Sequence, residues 1–192
     1  MKQQGLNNKE LIVQAADQLF YEHGYSQTSF SDIAAQAGIP RGNFYYYFKT
    51  KDDILTAVLS FRHQQIEEML TACEQHSDDV KQQLIYLIEI LIREEDNIIN
   101  YGCPIGTMSS ELSKSFTALQ QQVTEIFETL RQWLDIKLAA AGLADSSKPL
   151  SMDILARLQG TTVLANVYHD IDFLRRSAQQ HKLWLTGILY AN

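Results

Sequence analysis

Cysteine is scarce in this chain of 192 residues. Only Cys73 and Cys103 occur, too few for a disulfide scaffold and without the spacing of metal ligands. No apolar run approaches the roughly 20 residues of a membrane-crossing helix, and the N-terminal stretch "MKQQGLNNKE" lacks the apolar core of a signal peptide. A cytoplasmic protein without a membrane partner is therefore expected. There is no convincing alternating strand, no internal repeat and no low-complexity segment. The five histidines, His23, His63, His76, His169 and His181, stand apart, and neither a phosphate-binding glycine loop nor a paired-carboxylate motif is present. No catalytic residue, no metal site and no cofactor are expected, and the chain does not read as an enzyme. Positive charge is also in short supply: the formal net charge is −7, which alone argues against a nucleic-acid partner.

The distribution of charge changes that reading. Residues 1–51 hold Lys2, Lys9, Arg41, Lys49 and Lys51 against Glu10, Asp17, Glu22 and Asp32, so the excess of acid lies entirely in the remainder. Between Pro40 and Lys51 there are three cations, Arg41, Lys49 and Lys51, and no acid. The same stretch, "GNFYYYFKTK", is the most aromatic of the chain.

Nearly every segment has helical period. Asn7 with Glu10 forms a cap pair, followed by the apolar stripe Ile12, Ala15, Ala16 and Leu19 and a stop at Gly24. Ser29 with Asp32 caps a short second helix that stops at Gly38. Pro40 suits the first turn of a third helix ending near Phe48. A long fourth helix starts at Asp52, and further helices are predicted near 79–99, 107–115, 117–141, 150–168 and 171–189. "GLADSSKP", residues 142–149, is the clearest loop. The expected architecture is all-α: an N-terminal three-helix helix-turn-helix head over residues 1–51 and a larger helical body for ligand binding and dimerisation over residues 52–192.

Two short helices with Ala34, Gly38 and Phe44 at the packing, turning and anchoring positions fit a helix-turn-helix. At about 100° per residue, Phe44 and Phe48 share the core face, Tyr45 and Tyr46 point outward and Tyr47 lies between. An outward tyrosine presents a hydroxyl suited to a phosphate oxygen. Lys51 can pair with a phosphate facing the positive end of the fourth helix. Arg41 suits guanine, Gly42 lets the backbone come close, and Asn43 reads adenine or bonds backbone.

"TSFSDIAAQAGIPRGNFYYYFKTKDDIL" resembles the tetracycline-repressor (TetR) family of one-component transcriptional regulators, with its Tyr-x-x-Phe-x-x-Lys ending at Tyr45, Phe48 and Lys51. The resemblance covers about Lys9 to Leu55. It implies phosphate or base contacts from Thr28, Ser29 and Ser31, base reading by Arg41, Gly42 and Asn43, and backbone contacts from Tyr45, Tyr46, Tyr47 and Lys51. The chain departs from the pattern at Pro40, where serine is common, and at Tyr47, where histidine occurs. For Ser29 a purely capping role stays open, and for Tyr47 a half-buried one.

The resemblance also implies a homodimer on a palindromic double-stranded DNA operator, joined through the last two long helices by Leu155, Leu158, Val163, Phe173, Leu174, Leu183, Trp184 and Ile188. A larger monomer core is the alternative. A small-molecule inducer is implied for a pocket whose candidates are Tyr86, Tyr101, Phe116, Phe127, Trp133, Tyr168 and His169, although residues of these types are more often core than ligand contacts. In "YGCPIGTMSSEL", Cys103 precedes a helix start, where a thiol tends toward the thiolate. The stretch resembles that of family members that sense electrophiles or oxidants through a cysteine; a packed, unreactive Cys103 is the alternative. The function expected is ligand- or cysteine-responsive repression, and the competing class is a helical protein-interaction module that does not bind DNA.

Overall fold

A computed structural model describes residues 7–112 and 117–191. The fold is all-α, and no strand occurs among the described residues. The chain forms two compact units. The first comprises the chain up to Gln64 together with Thr107–Val123, and the second Gln65–Gly106 together with Thr124 onward.

The first unit begins with α1 (Asn8–His23), α2 (Phe30–Ala37) and α3 (Arg41–Tyr47), and takes the opening part of α4 (Lys51–His76). Both expected capping boxes are present. Asn7 accepts from the amide of Glu10 while Glu10 accepts from that of Asn7, and Ser29 and Asp32 do the same for α2. These pairs satisfy amides that a helix start leaves without internal partners. α4 has a third such pair: Thr50 Oγ1 accepts from the Asp53 amide at 3.0 Å and Asp53 accepts from that of Thr50 at 2.9 Å. Gly38 adopts the left-handed conformation, φ 66°, and its N–H bonds Ala34 and Ala35, which ends α2 and turns the chain toward α3. Ile12, Ala16, Phe20, Ile33, Ala34, Phe44, Phe48, Ile54 and Leu55 are buried here. One buried charge is paired: Arg62 on α4 donates to Asp17 on α1. Burial raises the Asp17 pKa and the neighbouring guanidinium opposes that rise.

The second unit contains the rest of α4, α5 (Val80–Arg93), α6 (Glu95–Tyr101), most of α8 (Thr117–Leu138), α9 (Ser147–Tyr168) and α10 (Ile171–Leu189). α7 (Pro104–Leu112) starts in the second unit and finishes in the first. α5 packs on α10, and α9 packs on α6 and α10. The core here is aliphatic, with Leu84, Ile88, Leu134, Leu138, Ile154 and Leu185 at its centre.

Three helix boundaries differ from expectation, and the first is that the helix predicted near 107–115 already starts at Pro104. The segment 79–99 is two helices, because Glu94 leaves the helical conformation at φ −98°, ψ 14°. The ladder continues around it, Glu94 donating to Ile90 and accepting from Ile98, so the break sacrifices little bonding. The loop at 142–149 is shorter than its composition suggests. Gly142, at φ 96°, and a single 3-10 turn complete the connection, and α9 starts at Ser147. Pro149 then occupies the first turn, where no amide is needed.

Candidate nucleic-acid interface

The local sequence of α3 sorts its aromatic run onto two faces. Phe44 and Phe48 are buried, at 1% and 4% exposure, whereas Tyr45 and Tyr46 stand 51% and 80% exposed. Tyr47 is half-buried and packs edge-on against Tyr46. Phe30 on α2 meets Phe44 edge-on at 5.3 Å and stacks on Tyr45 at 5.6 Å. Rings in these arrangements gain attraction beyond simple area burial. The same contacts fix the backbone of α3 while its outer side carries Gly42, Asn43 and the two tyrosine hydroxyls, all exposed. Arg41 opens α3; its side chain lies outside the described residues.

The residues expected from α2 and its approach divide. Ser29 is exposed but caps the helix, and its hydroxyl also donates to Asp32 at 2.6 Å. Ser31 is half-buried on α2. Thr28 does not offer its hydroxyl outward. The residue is 3% exposed and its Oγ1 donates to the Gly24 carbonyl at 2.8 Å.

Lys51 likewise turns inward. Its Nζ donates to the carbonyls of Tyr25 and Thr28 at 2.7 and 3.0 Å and sits 4.2 Å from the centre of the Tyr25 ring. The sequence signals a cation at this position, but the direction of its ammonium depends on the corner between α1 and α2. That corner holds residues sequence reasoning missed. The Tyr25 hydroxyl donates to Asp52, and burial followed by that carboxylate pushes the Tyr25 pKa up. The amides of Tyr25 and Ser26 donate to Glu111 at 2.9 and 2.7 Å.

In the second unit the two thiols have different surroundings. Cys73 is fully buried, and burial pushes its pKa up to about 11. Cys103 is half-buried, its sulfur accepting from the Gly106 amide at 3.4 Å and from Gln159 Nε2 at 3.3 Å. Among the expected pocket residues, Tyr101, Phe127, Tyr86 and Trp133 are half-buried. Tyr86 stacks on His76 at 3.8 Å, and Trp133 donates to Glu74 at 3.1 Å. Phe116 lies outside the described residues. Tyr168 is 74% exposed, and His169 is the exposed left-handed cap of α9, so neither lines an enclosed cavity within this chain.

The residues expected at a dimer interface also separate. Leu155 and Leu174 belong to the internal cores, at 8% and 0% exposure. Leu158, Phe173, Trp184 and Ile188 are half-buried, while Val163 and Leu183 are 54% and 63% exposed. α9 carries a continuous outward stripe: Met152, Leu164, Val167 and Tyr168 join Val163, with the small residues Ala156 and Gly160 between them. Its signal in the sequence is the run of three- and four-residue spacings.

Comparison with known proteins places both units. Residues 12–58 match the model of bacterial regulatory proteins, tetR family, and residues 79–180 match the C-terminal domain of LmrA/YxaF-like transcriptional regulators. An uncharacterized HTH-type transcriptional regulator in the lacX 3' region of Lactococcus lactis subsp. lactis is 29% identical over 88% of this chain and 88% of its own length. The HTH-type transcriptional repressor DhaR of Mycobacterium sp. (strain GP1) is 27% identical over 66% of this chain and 61% of its own. A TetR transcriptional regulator from Legionella pneumophila has a crystal structure that superposes with a TM-score of 0.81 at 28% identity, over 92% of this chain and 96% of that one.

Proposed function

The chain belongs to the TetR family of transcriptional regulators, and on that premise we propose that it is a repressor that binds a palindromic operator as a homodimer. The observation that carries this reading is the outer face of α3. Gly42, Asn43 and the hydroxyls of Tyr45 and Tyr46 are exposed together on a helix whose inner face Phe44 and Phe48 anchor. Recognition helices of helix-turn-helix proteins meet base edges with their first residues. In this role Arg41, Gly42 and Asn43 read bases while Tyr45, Tyr46 and Tyr47 bond phosphates. Ser29 and Ser31 add contacts from α2. Thr28 and Lys51 support the corner before α2, and Lys51 keeps one ammonium proton for a phosphate.

Residues 1–51 serve as the DNA-binding domain and 52–192 as the regulatory and dimerisation domain. The exposed apolar stripe of α9, with Leu183 of α10, supports a two-fold contact between copies, since scattered apolar residues are ordinary on a surface but a continuous row marks an interface. Release from DNA follows binding of a small molecule, with Tyr86, Tyr101, Phe127 and Trp133 as pocket candidates, or modification of Cys103. The repressor named among the relatives supports repression over activation. No described helix is long and apolar enough to cross a membrane, and the proposed DNA-binding role suits a cytoplasmic location.

The test is selection of duplexes from random DNA, followed by gel shifts with unrelated competitor DNA. A selected palindrome that survives competition is expected, and failure to retain any duplex sinks the proposal. Arg41→Ala should cost about 1–3 kcal/mol and relax preference at one position per half-site, read by repeating the selection with the variant.

A further inference from the structure

We propose that Glu111 is a positioning residue for the DNA-reading helices, holding the corner between α1 and α2 in the register that recognition requires; this rests on the operator-binding reading above. The corner is gripped on both sides of one residue's peptide groups. The amides of Tyr25 and Ser26 donate to the two carboxylate oxygens of Glu111 at 2.9 and 2.7 Å. The carbonyl of Tyr25 accepts from Lys51 Nζ at 2.7 Å. An anion on α7 and a cation on α4 thus bind opposite poles of the same backbone. Charge-assisted bonds of this kind are roughly twice as strong as neutral ones.

Two further observations tie Glu111 to this corner rather than to its own helix. Gly24 has φ +84°, and a Cβ there would lie 3.3 Å from Glu111 Oε2, so the corner leaves room for the carboxylate. Burial opposes the ionisation of Glu111, yet the hydrogen bonds from Ser26 and Tyr25 and the nearby Lys51 ammonium hold its carboxyl below the usual range. The anion is stabilised by tertiary partners that its own helix does not supply.

The consequence reaches α3 through short connections. The corner runs from Gly24 to Ser29, the cap of α2, and Thr28 within it bonds the Gly24 carbonyl. The left-handed Gly38 then transfers the position of α2 to α3 and its exposed tyrosines. A corner freed from Glu111 samples other registers, and apparent affinity falls with the fraction of molecules in the competent one.

Amide hydrogen exchange at Tyr25 and Ser26, paired with affinity for the selected duplex, tests this on Glu111→Ala, Glu111→Gln and the control Arg175→Ala. The control removes a two-bond ion pair with Glu95 elsewhere in the chain. Glu111→Ala should lose amide protection at both positions and bind DNA about tenfold more weakly or worse, the scale of losing a bond to a charged group. Glu111→Gln, keeping one acceptor, should fall between it and wild type, with circular dichroism and oligomeric state unchanged. Arg175→Ala should change neither readout. Unaltered protection in both Glu111 variants, or an affinity loss matched by the control, overturns the proposal. If Glu111→Ala fails to fold, the Gln variant decides. A wild-type protein that retains no duplex would defeat the operator reading alone, since exchange reports the corner without DNA.

Discussion

The two units expose opposite chemistry. The first turns its aliphatic and phenylalanine side chains inward and shows tyrosine hydroxyls, an asparagine and a glycine on α3. The second also buries leucines and isoleucines, but leaves Val163, Leu164, Val167 and Leu183 in the open. Exposed hydroxyls and backbone suit a hydrated, charged partner, whereas exposed aliphatics suit another apolar surface. The net charge of −7 describes neither surface, because residues 1–51 carry only four of the 23 acids. A partner is read from which side chains a rigid element turns outward, more than from the totals of the chain.

The most severe way to break this comparison is to empty the core of the first unit. Phe44→Ala removes a ring that is 1% exposed and should cost about 3–5 kcal/mol. The expected outcome in urea is an early loss of the α1–α3 signal with the second unit still folded. A single transition shifted as a whole would show that the units do not melt separately. Next in size is Leu164→Asp, which places a charge in the exposed apolar stripe of α9. Sedimentation equilibrium should find the proposed dimer weakened by about 100-fold, since a buried unpaired charge costs several kcal/mol, while the melting of each unit changes little. An unchanged dimer would locate the interface elsewhere. The mildest change sharpens the contrast: Tyr46→Phe deletes only a hydroxyl on a residue 80% exposed. DNA affinity should drop by about 1 kcal/mol across all sequences, with thermal stability unaltered. Equal binding by wild type and variant would remove Tyr46 from the phosphate contacts.

Legibility followed the range of the interactions. The capping boxes Asn7–Glu10 and Ser29–Asp32 were visible because both partners lie within one turn, so residue type and spacing nearly determine the bond. The split of the aromatic run onto two faces was visible for the same reason, helical period being a local property. The break at Glu94 carries no glycine or proline and left no mark in the pattern. Lys51 and Thr28 were identified as polar groups near the expected interface, but their bonding partners are supplied by the corner at Tyr25. On α9, Leu155, Leu158 and Val163 were expected together at one interface, because residue type alone does not sort apolar side chains between core and surface. It does not say that Leu155 belongs to the core and Val167 to the outside. Glu111 left no mark in the pattern, because the amides it binds lie 86 and 85 residues away along the chain.

By itself the sequence determined the helices, their caps, the helix-turn-helix with its glycine turn and the sidedness of α3, since each depends on residues within a few positions of one another. The tertiary structure alone decided where long polar side chains end and which apolar face remains open. Lys51 and Glu111, 60 residues apart along the chain, meet at the peptide groups beside Tyr25 only because folding brings α4 and α7 to the same corner. Flexible charged side chains have many partners within reach, and the fold decides which backbone groups are presented to them.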